Sequence, residues 1–181
     1  WGTHVNRWHQ AWARVKSVDS PALGIVLDSF HVLARGDTLA QLADVPLEKI
    51  TFVQMADAPL MKMDILEWSR HFRCFPGQGQ LPLVEFACDL TRRGYCDPWS
   101  LEIFNDSFRA SPNGATAKDG YRSLLWLEEQ VRQRLPESRA PLFSPAELPL
   151  YAGLEFIEFA ASAAEAQRLG QHLQALGFQH E

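Results

Sequence analysis

The absences in this chain narrow its function first. No stretch of about twenty apolar residues occurs, so no segment is expected to cross a membrane as a helix. Basic charge is not in excess: 17 Lys and Arg stand against 22 Asp and Glu, a formal net charge of −5. A groove for nucleic acid or a face for anionic lipid needs the opposite balance. Both partners are set aside, and a small molecule is the expected ligand. Cysteine is scarce, with only Cys74, Cys88 and Cys96 and no CxxC spacing. This argues against a disulfide framework and a thiolate zinc site, and fits free thiols in a reducing, cytoplasmic setting. The chain opens Trp1-Gly2-Thr3-His4 without an initiating Met, a basic stretch or an apolar stretch behind it. It is therefore expected to be an excised piece rather than a signal peptide or a natural start.

What is present is a globular composition, 46% hydrophobic and 22% charged over 181 residues, so disorder is not the default. Trp8, Ala11, Trp12 and Val15 recur at helical spacing and predict a helix over 8–18, stopped by Asp19-Ser20-Pro21. The apolar run from Leu23 to Asp28 predicts a buried parallel strand that ends in a carboxylate. After a turn at Arg35-Gly36-Asp37, Asp37 or Thr38 is placed to cap a short helix through Leu39 and Leu42, and Ile50 to Gln54 predicts a strand ending in an amide. The stretch from Met55 to Leu81, broken by Pro59, Pro76, Gly77 and Gly79, is expected to be irregular, and a loop that long usually serves function.

Leu83, Phe86, Ala87 and Leu90 predict a helix closed by Gly94, and Trp99 to Phe104 a third strand. Leu124, Leu125, Leu127 and Val131 mark a helix ending before Pro136. Alternating strands and helices imply an α/β fold with a parallel sheet. A closed (β/α)₈ barrel takes roughly 250 residues, so three strands are about the last third to half of one. Four prolines between Pro136 and Pro149 predict a linker over 136–152. Leu154 to Phe159 then alternates like a half-exposed strand, and Ser162 is placed to cap a helix carrying Ala166, Leu169, Leu173 and Leu176, stopped by Gly177. One βα unit does not stand alone, so a second, truncated domain is expected from residue 153.

Asp28, Gln54 and Glu102 each end or interrupt an otherwise apolar strand. In a barrel, strand ends converge on the face where loops build the active site. Two carboxylates and an amide suit a hard cation, Mg²⁺ or Mn²⁺ with Co²⁺ as the alternative, although any one of them alone reads equally as a polar group satisfied by backbone. His31 lies three residues beyond Asp28, near enough to serve as a base beside a metal or as a structural hydrogen-bonding residue. Ser69-Arg70-His71-Phe72-Arg73 precedes the Cys74-Phe75-Pro76-Gly77-Gln78-Gly79 turn. An arginine fork there suits an anionic substrate. The competing reading is a solvated basic loop paired with Asp64 and Glu67.

Four stretches carry a resemblance: Leu23 to His31, Phe52-Val53-Gln54-Met55-Ala56-Asp57, Arg73 to Gly79, and Ser100 to Asp106. Together they resemble the barrel of two-domain bacterial 3-dehydroshikimate dehydratases, a xylose-isomerase-like, sugar-phosphate-isomerase-like TIM barrel. Gly153 to Phe178 resembles the opening strand and helix of the fused 4-hydroxyphenylpyruvate-dioxygenase-like domain, of the vicinal-oxygen-chelate class.

The resemblance implies a partial barrel over 1–135 and the first unit of the second domain over 153–181. It implies Asp28, Gln54 and Glu102 as metal ligands, His31 as acid/base, and Ser69 and Arg73 as substrate-binding residues. A further glutamate ligand would fall before Trp1, so the piece alone is expected to be inactive. The implied reaction is metal-dependent dehydration of 3-dehydroshikimate to protocatechuate in quinate and shikimate breakdown. The alternatives are a sugar or inosose isomerase, epimerase or dehydratase on the same barrel, and a ligand-binding barrel without turnover. A homo-oligomer is compatible with all of them.

Overall fold

The computed structural model describes residues 4–37 and 39–179, with the side chains of residues 40 and 41 also outside the description. Thr38, one of the two expected caps, and the opening Trp1-Gly2-Thr3 therefore lie outside the described residues.

Helix α1 (Trp8–Val18) forms where the spacing places it and stops at Asp19, which adopts a left-handed φ of 50° and donates its N–H to the Val15 carbonyl. Three strands follow, β1 (Ile25–Asp28), β2 (Ile50–Met55) and β3 (Trp99–Leu101), parallel and adjacent in that order. The crossovers carry helices α4 (Leu83–Arg92) and, beyond β3, α6 (Asn113–Arg134). Ile25, Leu27, Val53 and Met55 share an apolar cluster with Leu83, Phe86 and Leu90 of α4 and with Leu127 and Val131 of α6. Val26 and Phe52 belong to the opposite face and stay 53% and 41% exposed.

The β1–β2 register contains a slip. Ile25 pairs with Ile50, whereas Val26 pairs with Phe52, leaving Thr51 as an extra residue. The Thr51 hydroxyl donates to the Ile25 carbonyl at 3.1 Å. Gly24 makes room for the bulge, since a Cβ there would lie 2.4 Å from Thr51 Cγ2.

Several expectations are corrected. β3 ends at Leu101 rather than Phe104, because the chain turns to pair Phe72 with Asn105 and to give the Phe104 carbonyl to the Arg73 N–H at 3.1 Å. Glu102 therefore stands just past the strand. The 55–81 stretch is not irregular throughout: α3 (Ile65–His71) is capped by Asp64, whose carboxylate accepts from Leu66 and Glu67 N–H. Asp64 followed three residues on by Glu67 was the local signal for that start. α6 begins at Asn113, well upstream of Leu124, because its first turns are polar and carry no apolar period.

The chain divides into two compact units, 1–145 and 146–181. In the first, the chain beyond α6 stays packed, with Leu142 against the core and the Phe143 N–H donating to Glu128 at 2.8 Å. In the second, α7 (Ala163–Ala175) starts from the Ser162–Glu165 capping box. The strand expected over Leu154 to Phe159 is not formed; the segment carries no regular secondary structure and is exposed. A strand needs a partner to satisfy its backbone, and this unit holds none among the described residues. No helix among the described residues is long and apolar enough to cross a membrane.

Candidate active site

Asp28 closes β1 and caps the five-residue helix α2 (Ser29–Leu33). Its Oδ1 accepts the N–H groups of Phe30 at 2.8 Å and His31 at 3.3 Å, which locks the carboxylate and points Oδ2 at Arg73 Nη1, 2.8 Å away. His31 thus sits on a capped helical turn.

Arg73 is the centre of the arrangement and is 1% exposed. Its Nη1 also donates to Glu102, to Oε2 at 3.1 Å and to the backbone carbonyl at 3.1 Å. Its Nη2 donates to Ser69 Oγ at 2.8 Å and lies 3.1 Å from His31 Nε2. Its Nε donates to the Ser69 carbonyl at 3.0 Å. The guanidinium carbon also lies 4.8 Å from the Phe30 ring centre and 5.3 Å from that of Phe104. The solvated-loop reading of Arg73 is overturned, because Asp64 is occupied in capping α3 and Glu67 faces His71 at 3.4 Å. Ser69, itself buried, holds Arg73 through its hydroxyl and its carbonyl.

A guanidinium can only donate, so His31 Nε2 must accept from it and the proton of the neutral ring belongs on Nδ1. Burial, reinforced by the charge of Arg73, pushes the His31 pKa down to about 4; Glu102 opposes the shift and Arg35 adds to it. The imidazole is therefore neutral near pH 7, the form that accepts a proton.

Gln54 is half-buried and pairs in register with Asp28 on one side and Ser100 on the other, so the three occupy the same face of the sheet. Glu102, two residues past Ser100, brings its carboxylate to the same guanidinium nitrogen as Asp28. Asp28 and Glu102 thus share one positive centre, with Gln54 on the strand between them; carboxylates and an amide are the donor types a hard divalent cation takes. Among the described residues no group of three or more His, Cys, Asp or Glu is arranged to hold a metal, so this chain offers two carboxylates and an amide rather than a full ligand shell.

Sequence reading missed the residues that brace this site through backbone. The Ser29 hydroxyl donates to the Ala56 carbonyl at 2.9 Å and accepts the Ala56 N–H at 2.8 Å, tying the end of β1 to that of β2. Asn105 caps α5 (Asp106–Arg109) and donates Nδ2 to the Arg73 carbonyl at 2.9 Å. The only sequence signal for Asn105 was its cap-forming residue type ahead of Asp106. Cys74, next to Arg73, is chemically quiet: burial, with help from the Asp57 charge, pushes its thiol up to about 12.

Comparison with known proteins follows the same lines. Residues 1–130 match the xylose isomerase-like TIM barrel family. The 3-dehydroshikimate dehydratase of Pseudomonas putida is 54% identical over 98% of this chain, which spans 29% of that protein. A solved xylose isomerase-like TIM barrel/4-hydroxyphenylpyruvate dioxygenase fusion protein superposes with a TM-score of 0.80 at 52% identity, covering 97% of this chain and 29% of the fusion. The IOLI protein, solved with a bound zinc atom, superposes with a TM-score of 0.62 at 26% identity over 71% of this chain and 45% of its own. The chain thus spans under a third of the length of the two Pseudomonas 3-dehydroshikimate dehydratases it matches.

Proposed function

This chain belongs to the xylose isomerase-like TIM barrel family, and on that footing we propose that it forms one side of the active site of a metal-dependent 3-dehydroshikimate dehydratase. On this reading residues 1–135 are the C-terminal part of the barrel, 136–152 a linker and 153–181 the start of a dioxygenase-like domain. The whole protein is a carbon–oxygen lyase that converts a small anionic substrate to protocatechuate in the cytoplasm. The observation that carries the reading is one buried guanidinium, Arg73, holding Asp28, Glu102 and the neutral His31 around a single point.

His31 takes the role of base, with Nε2 as the accepting atom; the guanidinium beside it keeps the ring unprotonated until substrate arrives. Arg73 and Ser69 orient the substrate carboxylate. An anion entering there exchanges with one of the acceptors Arg73 holds now, a trade of one charge-assisted bond for another. Asp28, Gln54 and Glu102 would hold a divalent cation, completed by a ligand from outside this chain. Such an ion, when bound, supplies stabilisation of negative charge on a ketone oxygen. A neutral polyol, the substrate type of an isomerase on this scaffold, has no use for a buried guanidinium aimed into the site.

The test is protocatechuate absorbance growing from 3-dehydroshikimate with the full-length protein, before and after chelation. Turnover should vanish with the metal and return with Mg²⁺ or Mn²⁺. Turnover that survives complete chelation would remove the metal role, and turnover of an inosose in place of dehydroshikimate would replace the substrate.

A further inference from the structure

Asp57 carries no role in the chemistry above, yet it is 2% exposed and fully engaged. Its Oδ1 accepts the N–H groups of Ala58 at 2.8 Å and Leu81 at 3.0 Å, and its Oδ2 those of Gly77 at 3.1 Å and Gly79 at 3.0 Å. Four backbone donors on one carboxylate fold the segment 74–81 back onto the end of β2. The backbone of Asp57 does the same: its N–H donates to the Cys74 carbonyl at 3.0 Å, and it accepts the Cys74 N–H at 2.8 Å.

The neighbour of that bridge is Arg73. Its backbone is strapped on the other side by Phe104, which accepts its N–H, and by Asn105, which donates to its carbonyl. The guanidinium must reach Asp28 at the end of β1 and Glu102 just beyond β3 from a segment that follows β2. The place from which it reaches is set by the tie between β2 and Cys74. The contacts around the tie leave no slack: a Cβ at Gly79 would lie 2.3 Å from Asp57 Oδ1 and 2.5 Å from Ala58 backbone atoms, and one at Gly77 would lie 2.8 Å from the Trp126 ring.

We infer that Asp57 is a positioning residue, whose carboxylate fixes Arg73 against Asp28, His31 and Glu102 by anchoring residues 74–81 to the end of β2. The inference deepens the proposed site and rests on it for its kinetic readout. Asparagine cannot replace the carboxylate, because its NH₂ would face two backbone donors whichever way the amide is turned.

The experiment uses the full-length protein with Asp57→Asn, Gly79→Ala, the double variant, and Val131→Ala as a control that loosens the core away from the site. With 3-dehydroshikimate, Asp57→Asn and Gly79→Ala should each raise KM about tenfold, since a misplaced orienting group costs that much or more. The double variant should be no worse than the poorer single variant, because both release the same tie. Val131→Ala should lower Tm and leave KM alone. Hydrogen exchange, which needs no substrate, should quicken in 74–81 and also in 28–33, where the partners of Arg73 sit. If Asp57→Asn does not fold, Gly79→Ala carries the same comparison. An unchanged KM in the folded variants, or faster exchange confined to 74–81, would reduce Asp57 to loop glue. If the protein turns over no dehydroshikimate, the functional reading falls, while exchange in 28–33 still decides the role of Asp57.

Discussion

Asp28 and Asp57 stand at the ends of neighbouring strands, 7% and 2% exposed, and both carboxylates are fully used. They are used differently. Asp28 spends one oxygen on backbone and turns the other to a side chain from a distant segment, Arg73 at 2.8 Å. Asp57 gives both oxygens to backbone N–H groups. A carboxylate facing a cationic side chain can exchange that partner for another during a reaction cycle. One facing backbone is committed to shape. The rim thus has a chemical end after β1 and a mechanical end after β2, joined through Arg73.

The contrast breaks most visibly at the chemical end. Asp28→Ala removes the α2 cap and leaves the buried Arg73 without its shortest-held carboxylate partner. Losing one member of such a pair should destabilise the first unit by about 3–5 kcal/mol in chemical denaturation. If the loss is no larger than the roughly 1 kcal/mol of a helix cap alone, Arg73 is compensated elsewhere and the contrast is overstated. His31→Ala should leave stability and metal content nearly unchanged while lowering kcat about 10²-fold. A variant stripped of metal would instead make His31 a ligand. The smallest effect belongs to the mechanical end. At pH 8 an alkylating reagent should modify exposed Cys96 and spare Cys74, whose thiol stays protonated up to about pH 12. Equal rates at the two positions, read by mass spectrometry, would mean that the Asp57–Cys74 tie opens readily.

The chemical end was legible because a polar residue closing an apolar run is conspicuous: Asp28 and Gln54 stood out in that way, and Glu102 broke its run even though the strand stops one residue before it. Arg73 was legible only in type. Its burial depends on Phe30 and Phe104, which no spacing rule links to it. The mechanical end was silent, because the partners of Asp57 are backbone groups that any residue supplies, apart from the requirement for glycine at 77 and 79. The two units show the same limit at larger scale. α7 formed as read, since its hydrogen bonds and its Ser162–Glu165 cap are local. The alternating segment 154–159 did not become a strand, because a strand is a relation between two segments and only one was at hand.

The slip at Thr51 makes the spacing of β2 a matter of parity. Were Thr51 paired in plain register instead of bulged out, Asp28 would pair with Val53, which is buried among the helices, and Gln54 would lose its place beside the carboxylate. Loss of Thr51 would leave a plain ladder with Asp28 still beside Gln54, whereas one residue gained between Ile50 and Val53 would do more than lengthen an edge. It would exchange inside for outside along the rest of the strand, sending the amide into the apolar layer and a valine to the rim. Tolerance to insertion should accordingly come in steps of two within β2 and be continuous in the turns on either side. A two-residue insertion that preserved the site beside a one-residue insertion that abolished it would be the signature of that arithmetic.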